Sequence, residues 1–355
     1  MCFNAPMITA GSDLLRQVSR SFYLTVRVLP GAIRPQIGLA YLLARATDTI
    51  ADTPLVSVAK RRAALREMRA AILEIAEGRS SQAPDFGELA AAQEAPGGHG
   101  SPAERRLLNK AAELLEALGA LAIEDRRRIS VLLEIITRGQ ETDLARFGCT
   151  SPEQITALDA DDDLEEYTYC VAGCVGEYWT RMCRAHLFPK ADLDDTFLLT
   201  SGIRFGKGLQ LVNILRDLPG DLRQGRCYLP RTRLAAGGLE PAALLDAGVM
   251  GRFRPLYAAY LKQARELLSA GWAYTNALPR GQMRVRLACA WPILIGMKTL
   301  ARLRAANVLD NRHRVKVSRR EVRRLILHSV LCYSNSRAWN RLFEQAGEDE
   351  PGRPL

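Results

Sequence analysis

The spacing of apolar residues along the chain constrains its fold more than any other sequence feature. Apolar side chains recur every three to four residues in long segments, as in amphipathic α-helices. Runs that alternate apolar and polar residues between turns, as β-strands do, are absent, and no internal repeat is present. The sequence therefore predicts an all-α protein. The predicted helices cover about 13–30, 34–52, 58–78, 103–119, 124–147, 162–186, 196–217, 250–278, 281–306 and 318–344.

One segment interrupts this helical pattern. Residues 79–102 are rich in Gly, Pro, Ser and Ala, a composition that is typical of a surface loop. The segment lacks the features of a domain boundary. We therefore predict a single domain over residues 1–355, with a flexible insertion at 79–102.

The net charge indicates which kinds of partner to expect, and the cysteine pattern indicates the cellular compartment. Apolar residues make up 48% of the chain and charged residues 25%, which is typical of a soluble globular protein. The net charge of +10 favours anionic partners: phosphorylated ligands, acidic lipid surfaces or nucleic acid. Eight cysteines without a Cys-x-x-Cys pair or a Cys/His cluster predict reduced thiols in a cytoplasmic protein.

Membrane insertion is not expected. The N-terminal residues lack the charged and long apolar regions of a signal peptide. The densest apolar run, Leu287 to Met297, is too short to span a bilayer and contains Pro292. The basic run 312–324 either attracts anionic lipid head groups or forms a solvated helix face. Peripheral contact with the inner face of a membrane therefore stays open.

Two carboxylates stand four residues apart in the stretch RATDTIADT, at Asp48 and Asp52. Residues at this spacing lie on one side of a helix, and Arg45 precedes the pair by about one turn. Taken alone, such a pair in a helical protein is most often a solvated face or a partner in ion pairs.

A second pair with the same spacing lies far downstream, at Asp217 and Asp221. Gln210 and Asn213 share a helical stripe with Asp217, and they add neutral donors and acceptors beside the acids. Arg216 and Arg226 add donors that suit phosphate oxygens. Pro219 and Gly220 stand inside the pair, and we expect them to kink or end the helix there.

Repeated carboxylate pairs suit the binding of magnesium and diphosphate. Mg²⁺ prefers oxygen ligands and is commonly held by one or two carboxylates together with substrate phosphates. Two pairs on facing helices would bind one diphosphate each or share a metal cluster. Metal and arginine together would stabilise departing diphosphate and so assist the cleavage of an allylic C–O bond.

Four stretches of the sequence resemble the squalene/phytoene synthase family, the head-to-head prenyl transferases. VSRSFYLTVRVLP resembles the opening Ser-Arg-Ser-Phe segment of that family, and YLLARATDTIAD resembles its first Asp-rich helix. YCVAGCVGEYW is similar to the Val-Ala-Gly-x-Val-Gly helix. GLQLVNILRDLPGDLRQGRCYLP is similar to the second Asp-rich helix and the flap-like tail after it. The resemblance implies a single-domain isoprenoid-synthase helical bundle around a central apolar cavity.

The resemblance also implies roles for particular residues. The implied catalytic residues are Asp48, Asp52, Asp217, Asp221 and Tyr169, and the implied metal ligands are Asp48, Asp52, Asn213, Asp217 and Asp221. The implied substrate-binding residues are Ser19, Arg20, Ser21, Tyr41, Arg45, Gln210, Asn213, Arg216 and Arg226. Lys316 and Arg226 are the implied contacts of the nicotinamide cofactor.

The implied reaction joins two farnesyl diphosphates into presqualene diphosphate, which is then reduced to squalene. Its cofactors would be Mg²⁺, with Mn²⁺ as a substitute, and NADPH. The sequence departs from the family pattern where squalene synthases usually carry a tyrosine just before Val-Ala-Gly, because that position is Cys170. Either Tyr169 takes the role through a local adjustment of the helix, or the diphosphate leaving group serves as the base.

Other functions stay open at this point. A related synthase without the reductive step would yield presqualene diphosphate, dehydrosqualene or phytoene. A basic helical nucleic-acid-binding protein is a remote alternative, because no nucleic-acid-binding module is recognised and both acid pairs would be unexplained. No nucleic acid and no obligate protein partner is therefore expected.

Overall fold

A computed structural model describes residues 13–19, 22–95, 100–310, 312 and 315–348. The predicted all-α fold is confirmed. After a helical segment at 13–18, the first helices run in chain order up to the middle of the sequence. They are α1 (Phe22–Val28), α2 (Arg34–Ala51), α3 (Val58–Ala76), α4 (Gly87–Ala92), α5 (Pro102–Asn109), α6 (Ala111–Gly119) and α7 (Ile123–Phe147).

The second half of the chain is also helical, with one very short pair of parallel strands. The strands β1 (Thr156–Ala157) and β2 (Arg226–Cys227) pair with each other. The helices are α8 (Asp161–Thr168), a π-helical turn (Tyr169–Gly173), α9 (Cys174–His186), α10 (Asp195–Leu222), α11 (Arg231–Ala236), α12 (Met250–Ala277), α13 (Met283–Ala305), α14 (Arg319–Cys332) and α15 (Ser336–Gly347). Two short 3₁₀ segments, Pro241–Leu245 and Ala247–Val249, precede α12.

Some helix boundaries differ from the prediction. The predicted helix 103–119 is two helices, α5 and α6, that meet at Lys110. The predicted helix 318–344 is also two, because the Asn335 side chain accepts a hydrogen bond from the backbone N–H of Ala338 and caps a new helix there. Apolar periodicity continues across both breaks, so the sequence pattern alone does not reveal them.

The chain forms two compact units. The first comprises residues up to Gly148 together with Arg181–Pro189. The second comprises Cys149–Thr180 and the residues from Lys190 onward. The single domain over 1–355 and its central apolar cavity stay predictions.

In the first unit, α2 packs against α3 and α7. Leu43 and Ile50 of α2, Leu65 of α3, and Ile129 and Leu133 of α7 are fully buried. The burial of these large aliphatic side chains is the main source of stability in such a bundle. The packing fixes the rotation of α2, and therefore fixes which of its faces carries Asp48.

The segment predicted as a flexible insertion, 79–102, contains the short helix α4. Its described part buries Phe86, Leu89 and Gln93. The Gln93 amide donates a hydrogen bond of 2.7 Å to the Thr53 hydroxyl, next to Asp52. This part of the segment is thus packed against the end of α2, while the flexibility of the segment stays a prediction.

In the second unit, α10 lies unusually close to the π-helical turn and α9. A Cβ atom added to Gly176 would lie 1.9 Å from the carbonyl oxygen of Gly202, and one added to Gly206 would lie 2.0 Å from that of Ala172. Only glycine leaves room for backbones at this separation. The glycines therefore hold α10 firmly against the helix that carries Tyr169.

Across the described ranges, no helix is both long enough and apolar enough to cross a bilayer.

Candidate active site

The first acidic pair lies at the C-terminal end of α2. Asp48 is in the last turn of the helix, and Asp52 caps it, with its backbone N–H donating a 2.8 Å hydrogen bond to the Asp48 carbonyl oxygen. The two carboxylates are therefore within one helical turn, as the spacing predicts.

Asp48 is held between one hydrogen-bond donor and two charges. The Gln140 amide of α7 donates a 2.6 Å hydrogen bond to Oδ1, and Nη1 of Arg45 lies 3.8 Å from Oδ2. Burial and the negative charge of Asp52 outweigh these contacts and raise the pKa of Asp48 to about 6, although 47% of the side chain is exposed. The pair is thus electrostatically unfavourable when both groups are ionised, and a divalent cation would relieve this repulsion.

Gln140 is a site residue that the sequence reasoning missed. It lies on the stripe of α7 that buries Ile129, Leu133, Ile136 and Leu144. A polar amide in a stripe of aliphatic core positions is the signal that identifies such a residue, because a buried amide requires a partner. Its Oε1 atom is also buried and has no hydrogen-bond partner among the described residues.

Arg45, predicted to bind substrate, contacts an acid that follows the 79–102 segment by two residues. Its guanidinium forms an ion pair with Glu104 of α5, and the hydroxyl of Ser101 donates a 2.9 Å hydrogen bond to the same carboxylate. Within the described chain, the Nε atom of Arg45 is buried without a hydrogen-bond partner. Glu104 therefore orients Arg45 and leaves one of its donors unused.

Ser19 and Tyr41, also predicted to bind substrate, lie near the same backbone segment. Ser19 is 4% exposed, and its hydroxyl has no partner in the described part of the protein. The Tyr41 hydroxyl donates a 3.4 Å hydrogen bond to the carbonyl oxygen of Val18. A buried hydroxyl without a partner fits a site that binds an oxygen-rich ligand. The predicted contacts Arg20 and Ser21 lie outside the described residues.

The second acidic pair lies in the last turns of α10. Pro219 and Gly220 were expected to kink or end the helix, and they do not end it, because α10 continues to Leu222. Asp217 and Asp221 are therefore both helical and one turn apart.

A buried tyrosine compensates for the proline. Pro219 has no N–H, so it cannot donate the usual hydrogen bond to the carbonyl oxygen of Leu215, four residues earlier. The hydroxyl of Tyr257 in α12 donates a 3.0 Å hydrogen bond to that oxygen instead. Tyr257 is fully buried, and burial raises its pKa strongly, so the hydroxyl stays protonated as a donor. This contact lets the helix continue through the acidic pair.

The Asp217 carboxylate accepts two hydrogen bonds from Arg216. Nε of Arg216 lies 3.1 Å from Oδ1, and Nη2 lies 2.5 Å from Oδ2. A carboxylate has about four lone-pair positions, so it can bind a metal while one arginine contact remains. Arg216 thus lies where its guanidinium can pair either with the Asp217 carboxylate or with an anionic ligand nearby.

The predicted polar stripe of α10 meets two tyrosines. The Asn213 amide donates to Gln210 at 3.4 Å, and the Gln210 amide lies 3.5 Å from the Tyr167 hydroxyl. The Tyr167 ring stacks on that of Tyr228, with centroids 4.4 Å apart. Tyr228 follows the predicted ligand Arg226 by two residues. The sequence reasoning placed neither tyrosine beside this stripe.

Tyr169 lies at the first position of the π-helical turn, where the Cys174 N–H donates to its carbonyl oxygen, five residues back. Its hydroxyl donates a 3.1 Å hydrogen bond to Glu177. Burial and the charge of Glu177 raise the pKa of Tyr169 to about 12. The phenol is therefore protonated at neutral pH.

Lys316, the predicted cofactor contact, is exposed in the segment before α14. Its carbonyl oxygen accepts a hydrogen bond from Arg302, which also contacts Glu321. Its role stays a prediction.

The family profile and the curated relatives that match this chain agree on one family. A sequence profile described as squalene/phytoene synthase matches residues 15–321. A bifunctional lycopene cyclase/phytoene synthase of Blakeslea trispora is 30% identical over 70% of this chain and 37% of the relative. The chain spans less than half the length of the first curated relatives that it matches.

Two solved structures share the fold. A complex of TcSQS with a ligand superimposes with a TM-score of 0.76 at 22% identity, over 97% of this chain and 90% of that one. A dehydrosqualene synthase complex superimposes with a TM-score of 0.63 at 21% identity, over 93% of this chain and 97% of that one. At these identities the likeness establishes the isoprenoid-synthase fold alone.

We predict that Asp48→Asn stabilises the metal-free protein above pH 6. When folding raises the pKa of a carboxyl group, the folded protein loses stability as the pH rises from the ordinary pKa of that group through about 6. Asparagine does not ionise, so the variant does not lose this stability. The expected gain in Tm is about 1 to 3 °C at pH 8, and it should narrow as the pH falls below 6. Differential scanning fluorimetry in EDTA measures it.

The same variant should lose the rise in Tm that Mg²⁺ and inorganic diphosphate produce in the wild type. Glu67→Gln, which removes an exposed carboxylate from α3, is the matched control and should keep that rise. A lower Tm of Asp48→Asn at pH 8 in EDTA would contradict the electrostatic argument.

We also predict that Tyr257→Phe destabilises the protein by about 1 to 3 kcal/mol, because it leaves the buried Leu215 carbonyl oxygen unpaired. Urea unfolding measures the loss, and hydrogen exchange should show faster opening around 216–222. Tyr260→Phe is the matched control, since its buried hydroxyl on the same helix has no partner among the described residues. Equal losses in the two variants would rule out the role of the Tyr257 hydroxyl.

Proposed function

Because the chain belongs to the squalene/phytoene synthase family, we propose that it condenses two farnesyl diphosphates to presqualene diphosphate and reduces that product to squalene with NADPH. The observation that carries the proposal is that each acidic pair spans a single helical turn with an arginine beside it. A chain without such chemistry has no evident reason to keep an unfavourable charge at Asp48 or an intact helix across Pro219.

The donor sets fit magnesium. Among the described residues no group of three or more His, Cys, Asp or Glu is arranged to hold a metal. Each site would instead combine two carboxylates with diphosphate oxygens and water, which is the usual environment of Mg²⁺. When bound, Mg²⁺ neutralises negative charge on the departing diphosphate.

The proposed metal ligands are the four aspartates and Asn213. They are Asp48, Asp52, Asn213, Asp217 and Asp221. Mn²⁺ would substitute, because it accepts the same oxygen donors.

Polar side chains beside each pair would bind the diphosphates. In the first unit, the unused Nε of Arg45 and the unpaired hydroxyl of Ser19 are donors ready for phosphate oxygens. In the second unit, Arg216 would move from Asp217 toward the anion, and Gln210 would orient Asn213. These contacts fix the leaving group and leave the prenyl chain free for carbon–carbon bond formation.

The π-helical turn supports Tyr169 as the residue that replaces the missing tyrosine at Cys170. In a regular α-helix the Cys174 N–H would donate to residue 170, but here it donates to residue 169. Counted back from the start of α9, Tyr169 therefore stands where residue 170 would stand in a regular α-helix. Because a pKa of about 12 keeps the phenol protonated at neutral pH, Tyr169 would donate a hydrogen bond or proton to departing diphosphate rather than act as a base.

The reductive step rests on fewer residues. Lys316 and Arg226 are the proposed contacts of the NADPH phosphates, and both are cationic residues of the second unit. The names of the curated relatives favour a second candidate, a phytoene synthase that takes a C20 substrate and needs no hydride. The two candidates share the condensation and differ in chain length and reduction.

A product assay tests the proposal. Purified protein is incubated with Mg²⁺ and either farnesyl or geranylgeranyl diphosphate, with and without NADPH, and the extracted lipids are identified by mass spectrometry. We expect squalene from farnesyl diphosphate with NADPH, and presqualene diphosphate without it. Phytoene from the C20 substrate would select the second candidate, and no C30 or C40 product in any arm would reject both.

A pair of variants tests the tyrosine. Tyr169→Phe should lower turnover about 100-fold or more, since a positioned proton donor typically contributes that much. Cys170→Ala should retain turnover within about threefold of the wild type, because the thiol has no assigned role. Circular dichroism of both variants should match the wild type. Loss of activity in Cys170→Ala but not in Tyr169→Phe would show that Tyr169 does not have this role.

A further inference from the structure

Helix α14 exposes a cluster of large apolar side chains. Leu327 is 61% exposed, Val330 39% and Leu331 69%. All three lie within five residues of one another on the outer side of the helix. Exposed apolar side chains are ordinary when scattered, but a cluster of them on one helix face marks a contact surface.

Arginines precede this cluster on the same face. Positions 320, 324, 327 and 331 follow the spacing of one helical stripe, and Arg323 lies beside it. The side chains of Arg320, Arg323 and Arg324 are all exposed. The outer face of α14 is therefore basic in its first half and apolar in its second half.

The opposite face of α14 is fixed to the protein. Ser329 is fully buried and accepts a 3.0 Å hydrogen bond from the indole N–H of Trp291 in α13. Glu321, the one acid in the helix sequence, turns toward Arg302 and Lys298. Ser318 and Glu321 also form a capping box at the start of the helix. The outer face thus carries no acid from this helix and is held in a defined orientation.

We propose that the outer face of α14, defined by Arg320, Arg323, Arg324, Leu327, Val330 and Leu331, docks on an anionic lipid bilayer. Arginines would contact the anionic head groups, and the leucines and valine would enter the boundary with the acyl chains. The charge of the face matches this partner, and a polyanion such as nucleic acid would leave the apolar half unused. The helix is 14 residues long and would lie along the surface.

The docking surface does not depend on the proposed reaction. It would place the protein at the layer where long prenyl chains and hydrocarbons partition, which is useful for any enzyme that handles them. Its test uses no catalytic readout, so its failure and the failure of the proposed function are distinguishable.

The test is flotation of the full chain with vesicles of phosphatidylcholine, alone or with phosphatidylglycerol. We expect the wild type to bind the anionic vesicles at least about tenfold more strongly than the neutral ones, and to be released by high salt. A double variant, Leu327→Ser with Leu331→Ser, should lose about tenfold in binding. A second double variant, Arg320→Gln with Arg324→Gln, should lose the preference for phosphatidylglycerol.

Matched controls come from α7. Val131→Ser removes an apolar side chain that is 58% exposed, and Arg127→Gln removes an exposed arginine. Both should bind vesicles as the wild type does, and all variants should keep the wild-type Tm because the substituted side chains are exposed. Unchanged binding by the α14 variants, or equal binding to neutral vesicles, would overturn the proposal.

Light scattering tests the competing occupant, a second copy of the chain. We expect the wild type and the serine variant to have the same mass in the absence of lipid. A wild-type oligomer that dissociates on substitution of Leu327 and Leu331 would overturn the proposal and assign the face to self-association.

Discussion

The burial of a carboxyl group beside a second carboxylate is the constraint around which the first acidic site is built. Burial, together with the negative charge of Asp52 one helical turn away, raises the pKa of Asp48 to about 6. Neighbouring side chains reduce the free-energy cost of ionising Asp48 without removing it. Gln140 donates a hydrogen bond to one carboxylate oxygen, but Arg45 also pairs with Glu104. The fold thus holds a carboxyl group whose ionisation is disfavoured, at some expense of its own stability.

The constraint at the second acidic site lies in the helix backbone rather than in the charges. A proline between two acids that must share a helix face would ordinarily break the helix. The Tyr257 hydroxyl donates the hydrogen bond that the proline cannot, and Gly176 of α9 and Gly206 of α10 allow α10 to lie close against α9 and the π-helical turn. The acids and the stripe at Gln210 and Asn213 are therefore positioned by contacts made elsewhere along α10.

The helices and both acidic pairs could be predicted from the sequence because each depends on local spacing. The contacts that orient the acids could not, since Gln140 is 92 residues from Asp48 and Tyr257 is 42 residues from Leu215. The continuation of α10 through Pro219 was missed for the same reason: the compensating hydroxyl comes from another helix. The break at Lys110 was missed because apolar periodicity continues through it. Gln140 does carry a local sign in the sequence, because it is a glutamine within an aliphatic stripe of α7.

The π-helical turn at Tyr169–Gly173 affects how this chain is compared with its relatives. An alignment that matches residues one to one puts Cys170 in the tyrosine column and scores the position as a substitution. The turn holds one residue more than a regular α-helix would hold before Cys174, so Tyr169 stands where residue 170 would stand in a regular helix. Under our proposal that Tyr169 takes the role of that tyrosine, a one-residue gap at this turn is the alignment that would place the two side chains in one column.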